Sequence, residues 1–288
     1  MPPNLRLNSP AKINLFLKVF SKRKDGYHEI KTLFERISLS DELTLMSRKS
    51  GVRILTSSRD IPKGPRNIAY RAAKLLRDEL KIKKGVCIKI KKRIPVAAGL
   101  GGGSSNAASV LLGLNRFWKL GLSKKKLLQY ATKLGSDVPF FILETPFAVG
   151  EGRGEVLKKI RAPRRKIWHC LVKPPFSIST RAAYGGLKTS NLTPQKPNVR
   201  ILFHSIQKGD PESLSKLLIN SLELTLNKRV MTILKIKKDL MRQGALGCLL
   251  SGSGPTVFGI FSSSHAASRA ARSLRKNKHW QVFIASTF

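Results

Sequence analysis

The segment Pro95-Val-Ala-Ala-Gly-Leu-Gly-Gly-Gly-Ser-Ser105 constrains this chain more than any other. Gly99 and Gly101 to Gly103 put four glycines into five positions. Backbone without Cβ reaches positive φ freely and lets a ligand approach its amides. Upstream, Val86, Ile88 and Ile90 alternate with polar residues and predict a strand over Val86 to Ile90. Downstream, the alanine- and leucine-rich stretch Ser105 to Trp118 predicts a helix. A glycine loop leaving a strand and entering a helix offers inward-pointing amides and the positive end of a helix dipole, which suits a phosphate. Ser104 and Ser105 add hydroxyl donors. A plain serine-capped turn is the competing reading, and this density of glycine at a strand–helix junction favours anion binding over it.

The loop matches none of the three commonest nucleotide signatures. No lysine follows the glycines as G-x-x-x-x-G-K-[ST] requires, and counting from Gly99 the sixth position of G-x-G-x-x-G is Ser104. Protein-kinase catalytic-loop and Mg²⁺-loop signatures are absent as well.

The remaining pattern predicts an α+β chain. Asn67 is placed to cap a helix over Ile68 to Leu80, and Ser123 opens another that stops at Gly135. Leu214 to Leu222, Val230 to Met241 and Ala266 to Arg275 read as helices, and Ile13 to Phe20, Cys248 to Leu250, Val257 to Phe261 and Gln281 to Ala285 as strands. Arg161 to Lys166, with Pro163 inside it, is the expected boundary between segments 1–160 and 161–288. Cys87, Cys170 and Cys248 lie far apart, without disulfide or metal spacing, and point to reduced thiols. No apolar run approaches the roughly 20 residues of a membrane span and no secretory signal opens the chain, so a cytoplasmic location is expected.

Lysine and arginine total 55 against 16 acids, a net charge of +39. Such a surplus raises the question of a polyanionic partner. The basic residues are spread evenly, with neither a basic tail nor regular aromatic interleaving, so a solvated lysine-rich surface is the reading and no specific nucleic acid is expected.

Four other segments carry polar residues in suggestive places. Lys12 stands just before the strand Ile13 to Phe20, where a lysine is ordinarily an edge gatekeeper. In Gly135-Ser-Asp-Val-Pro-Phe-Phe141, Ser136 or Asp137 ahead of Pro139 makes a helix start, in which Asp137 reads as a cap. Leu250 to Val257 holds a second glycine loop between strands, and Asp25-Gly26 makes a turn that presents Tyr27 and His28.

Taken in order, these segments resemble the GHMP small-molecule kinase superfamily, with its N-terminal Pro-Ala-Lys, central Gly-Leu-Gly-x-Gly-Ser-Ser and C-terminal Gly-x-Gly-Pro motifs. Pro10-Ala-Lys-Ile-Asn-Leu15, Asp25-Gly-Tyr-His28 and Ser136-Asp-Val-Pro-Phe140 are similar to the branch acting on 4-diphosphocytidyl-2-C-methyl-D-erythritol. The resemblance implies a two-domain α+β kinase with its active site in the cleft between domains. It implies ATP as donor, Mg²⁺ on the phosphates and a substrate bearing cytidine diphosphate. It assigns Lys12 and Asp137 as the catalytic pair and Pro95, Val96, Ala97, Ala98, Gly99, Leu100, Gly101, Gly102, Gly103, Ser104 and Ser105 as the ATP loop. Asn14, Tyr27, His28 and Tyr184 become substrate contacts, the last three at the cytosine. Ala97-Ala98 departs from the Gly or Met pair often found there, and the basicity is not a trait of the family.

Overall fold

The computed structural model describes residues 4–161, 163, 165–187, 205–226 and 229–288. The chain forms two compact units that interleave in sequence. One comprises Met1–Ala11, Ser40–Val96 and Gly101–Glu144, the other Lys12–Leu39, Ala97–Leu100 and Thr145–Phe288. Two long strands, β1 (Asn4–Lys22) and β2 (His28–Arg48), contribute residues to both. From Ser9 to Leu17 every residue of β1 is buried, including Ser9, Lys12 and Asn14. Burial of such polar groups requires partners, and these partners shape the site described below.

In the first unit, β4 (Gly85–Lys91) pairs antiparallel with the end of β2 and parallel with β3 (Val52–Thr56). Helices α1 (Ile68–Glu79), α2 (Gly102–Phe117), α3 (Lys124–Leu134) and α4 (Val138–Ile142) belong to the same unit. The Asn67 side chain caps α1 by accepting from the Ala69 amide, and Ser123 caps α3 by accepting from Lys126. At Gly113 a Cβ would stand 2.4 Å from Leu7 Cδ1 and 2.9 Å from Leu45 Cδ1. Only glycine lets α2 settle this closely on β1 and β2.

The second unit carries β5 (Phe147–Glu151), β6 (Val156–Ile160) and β8 (Ile219–Asn220) in the order β6-β5-β2-β1-β8. It also holds an antiparallel sheet of β11 (Gln281–Ser286), β7 (Trp168–Lys173), β10 (Val257–Phe261) and β9 (Gly247–Leu250), in that order. Among the described residues this unit also holds helices α5 (Thr180–Gly185), α6 (Pro211–Ser215) and α7 (Val230–Arg242). The last helix is α8 (Ser264–Leu274). Ile233, Ile236 and Leu240 of α7 and Ala267, Ala270, Ala271 and Leu274 of α8 form one core with Val172, Val257 and Phe261 of the sheet. The architecture is α+β. Cys87, Cys170 and Cys248 are free thiols. Among the described residues no helix is long and apolar enough to cross a membrane.

Three expectations need correction. Leu214 to Leu222 is not one helix: α6 ends at Ser215, β8 follows, and a 3₁₀ turn covers Ser221–Thr225. The leucine spacing looks helical, but Asn220 turns the chain by accepting the Leu222 amide, and Ile219 and Asn220 pair with Phe16 and Leu17 of β1. Lys12 lies inside β1, which runs through Pro10 where the sequence reading began the strand after it. Helix α2 starts at Gly102 rather than Ser105, because glycine's low helix propensity disguises its first turn.

Candidate active site

The glycine segment leaves β4 and enters α2. Its entrance is anchored by Asp41, fully buried, which accepts from Lys92 Nζ at 2.6 Å and from the Arg93 and Ile94 amides at 2.8 Å each. Burial lowers the Lys92 pKa, opposed by the attraction of Asp41. Pro95 is half-buried and Val96 exposed, and Ala97 takes a positive φ of 49° that a glycine would hold without strain. Ala98 is buried, and its carbonyl accepts from the Thr256 amide.

Gly101, with φ 66°, is the N-cap of α2 and supplies no side-chain cap. The first-turn amides of Gly102, Gly103 and Ser104 are therefore the ones a helix leaves for an outside acceptor. The two serines differ. Ser105 is fully buried, with its Oγ 2.8 Å from Ser9 Oγ, which itself lies 2.7 Å from Asn106 Oδ1. Ser104 keeps partial exposure.

Gly99 is where distant parts of the chain meet. A Cβ there would stand 2.1 Å from the Ser251 carbonyl oxygen, and Ser251 Oγ donates to the Gly99 carbonyl at 3.0 Å. The Lys12 amide donates to the Leu100 carbonyl at 3.0 Å. A Cβ on Gly252 would stand 3.2 Å from Asn14 Oδ1, 3.3 Å from Lys12 Nζ and 3.4 Å from the Gly99 carbonyl. The Pro-Ala-Lys strand, the first glycine loop and the second glycine loop thus converge on the Lys12 ammonium. Asn220 braces the second loop by donating to the Leu250 and Gly252 carbonyls at 2.8 Å each. Lys12 is 4% exposed, so it is no edge gatekeeper. Its Nζ donates to Asn14 Oδ1 at 2.7 Å and lies 5.6 Å from the centre of the Phe34 ring.

Asp137 occupies the N-cap position of α4 but makes no side-chain capping bond, so the capping role suggested by its position is not what it performs. It belongs to the first unit, as does α2; Lys12 and Asn14 belong to the second.

The Asp25-Gly26 turn forms as expected. Asp25 Oδ1 accepts the Tyr27 amide at 3.1 Å, and Glu29 ties the hairpin to the Arg23 guanidinium at 2.6 Å and to the Gly152 amide at 3.0 Å. The His28 and Tyr184 rings lie 5.7 Å apart at a 34° tilt. Tyr27 stays 55% exposed, with the Arg153 guanidinium 4.9 Å from its ring centre. Partial burial, and secondarily the Lys22 charge, lowers the His28 pKa below 6.5. Sequence reasoning did not single out Thr32, Phe34, Arg153 or Asn220. Thr32 and Phe34, two residues apart on β2, share a face, but the strand shows no alternation there that would have marked them; Arg153 and Asn220 are placed only by the fold.

Residues 67–145 match the GHMP kinases N terminal domain and residues 202–279 the GHMP kinases C terminal family. A 4-diphosphocytidyl-2-C-methyl-D-erythritol kinase of Alkaliphilus oremlandii (strain OhILAs) is 44% identical over 265 residues, covering 92% of this chain and 90% of that protein. A crystal structure of 4-(cytidine 5'-diphospho)-2C-methyl-D-erythritol kinase superposes with a TM-score of 0.84 at 34% identity, covering 98% of both chains. The homoserine kinase of Cytophaga hutchinsonii shares the fold, with a TM-score of 0.74 at 20% identity over 100% of this chain and 96% of that one. By sequence and by fold, the chain belongs to the 4-diphosphocytidyl-2-C-methyl-D-erythritol kinase family of the GHMP kinases.

Proposed function

We propose that the protein transfers the γ-phosphoryl group of ATP to the 2-hydroxyl of 4-diphosphocytidyl-2-C-methyl-D-erythritol, giving the 2-phosphate and ADP on the route to isoprenoid precursors. The observation that carries this reading is the convergence of Lys12, Asn14, Gly99 and Gly252, an ammonium held beside two glycine loops. The first-turn amides of α2 and the Ser104 hydroxyl bind the phosphates. Asp137 accepts the proton of the 2-hydroxyl as its oxygen bonds to the γ-phosphorus and the bond to the β–γ bridging oxygen breaks. Lys12 stabilises the charge that builds on the phosphoryl oxygens.

Mg²⁺ is proposed with ATP. Among the described residues no group of three or more His, Cys, Asp or Glu could hold a metal. The ligands of Mg²⁺ would be phosphate oxygens and water, with the Ser104 hydroxyl as the residue to hold it. When bound, it neutralises phosphate charge. A cytoplasmic location follows from ATP as donor, and no specific nucleic-acid partner is proposed. The division into family segments 1–160 and 161–288 is proposed with them, supported by matched stretches on either side of it.

Cytosine readout by Tyr27, His28 and Tyr184 distinguishes this reaction from those of homoserine or mevalonate kinases. The tilted His28–Tyr184 pair offers ring faces for a base, and stacking of this kind is worth about 1–3 kcal/mol. Replacing cytosine by uracil turns a donor into an acceptor and leaves polar groups of the site unpaired. The uracil analogue is expected to show a kcat/KM at least about tenfold below that of the cytidine substrate, and His28→Ala to shrink the gap. Because its pKa is lowered, His28 stays neutral to a lower pH than a free imidazole. KM for the cytidine substrate should rise on acidification as the ring protonates, and at a lower pH than a free imidazole would give. Equal turnover of both analogues by the wild-type enzyme would remove the base readout.

A further inference from the structure

We propose that Thr32 is a positioning residue for catalysis, fixing the Asn14 amide so that its oxygen faces Lys12. The inference rests on the reaction proposed above and adds to it a buried residue that acts through Asn14.

The argument is one of donors and acceptors. The Thr32 hydroxyl has a single proton, and it donates to the Phe16 carbonyl at 2.8 Å. Toward Asn14 the same oxygen can then only accept. Asn14 Nδ2 lies 2.7 Å away and donates to it. With its nitrogen committed to Thr32, the amide turns Oδ1 to the opposite side, where it accepts from Lys12 Nζ at 2.7 Å. A flipped amide would set NH₂ against an ammonium and a carbonyl oxygen against a hydroxyl oxygen that has no proton to give. Thr32, Asn14 and Lys12 are 1%, 3% and 4% exposed, so water cannot compensate for either mismatch.

The consequence falls on the ammonium. A lysine side chain has many rotamers, and phosphoryl transfer requires its charge at one place. The groups that define that place include Asn14 Oδ1, the Phe34 ring and the Gly252 backbone. Of these, only the Asn14 oxygen can be lost by a simple flip, and Thr32 prevents that flip. The Thr32 methyl has a packing role besides, since a Cβ on Gly150 would lie 3.2 Å from Thr32 Cγ2. Valine at this position therefore retains the packing and removes only the hydroxyl.

The test compares Thr32→Val with Thr32→Ser. Thr32→Val is expected to lower kcat about tenfold or more, with KM for ATP and for the cytidine substrate within about twofold of wild type, while Thr32→Ser stays near wild type. Adding Thr32→Val to Asn14→Ala should change kcat less than about twofold, because no amide remains to be oriented. A residue that served packing alone would multiply the two effects and lower Tm without the split between kcat and KM. If Thr32→Val does not fold, Thr32→Ala is read against Thr32→Ser, since both lack the methyl and only the hydroxyl separates them. Independently of any substrate, the Asn14 side-chain NH₂ resonance, identified by its loss in Asn14→Ala, should be protected from exchange in wild type and should shift and exchange in Thr32→Val. Wild-type kcat in Thr32→Val, multiplicative losses in the double variant, or an unchanged Asn14 resonance would overturn the proposal. Absence of wild-type turnover would instead refute the reaction, and the resonance would still decide the role of Thr32.

Discussion

Asp137→Asn is expected to lower kcat by about 10²–10⁴-fold while leaving KM for ATP close to wild type, and Lys12→Ala to do the same. Asn keeps the shape of the side chain and removes its capacity to take a proton. The alternative role for Asp137, capping α4, predicts a loss of roughly 0.5–2 kcal/mol of stability with turnover intact. The absence of a capping bond from Asp137 argues against that alternative. For Lys12, burial at 4% exposure beside Asn14 and Phe34 gives no surface role to lose. Steady-state kinetics with thermal melts separate the cases. A variant with wild-type kcat and lowered Tm would return Asp137 to the role of a cap.

Gly101→Val and Gly102→Val are each expected to abolish ATP binding measured by calorimetry. Gly101 sits at φ 66°, a region a β-branched residue avoids, and it sets the direction of the first turn of α2. At Gly102 even a Cβ would stand 2.9 Å from Lys92 Nζ and 3.0 Å from Ile94 Cγ2. Lys92 is the far end of a long side chain but is held at 2.6 Å by a fully buried Asp41, so it cannot swing away cheaply. Valine at either place also covers amides that the phosphates need. Gly64→Ala, in open space with nothing within 4 Å, serves as the control and should bind ATP normally. Unchanged affinity in the Gly101 and Gly102 variants, with the fold intact, would place the nucleotide elsewhere.

What was legible in the sequence was local. Asn67 and Ser123 cap the helices they precede because a short polar side chain reaches back to an amide two or three residues on, whatever the rest of the chain does. The glycine loop announces itself for the same reason. What escaped was non-local. The 21 residues of β2 carry no simple alternation, because their neighbours change along the strand. The helical spacing of Leu214, Leu218 and Leu222 was overridden by pairing of β8 with β1, more than 200 residues away in sequence. Lys12 reads as an edge lysine until the strand around it proves buried on both sides. Thr32 is an ordinary strand threonine in sequence; only the hydrogen bonds to Phe16 and Asn14 give it a role.

The central claim is the identity of the phosphoryl acceptor. The most direct measurement is ADP release by the wild-type protein with ATP and Mg²⁺, given 4-diphosphocytidyl-2-C-methyl-D-erythritol, homoserine or mevalonate in parallel. Stoichiometric ADP with the cytidine compound, matched by a new phosphate monoester at its 2-hydroxyl, and background release with the other two is the predicted result. ADP release driven by homoserine or mevalonate, with none from the cytidine compound, would contradict it.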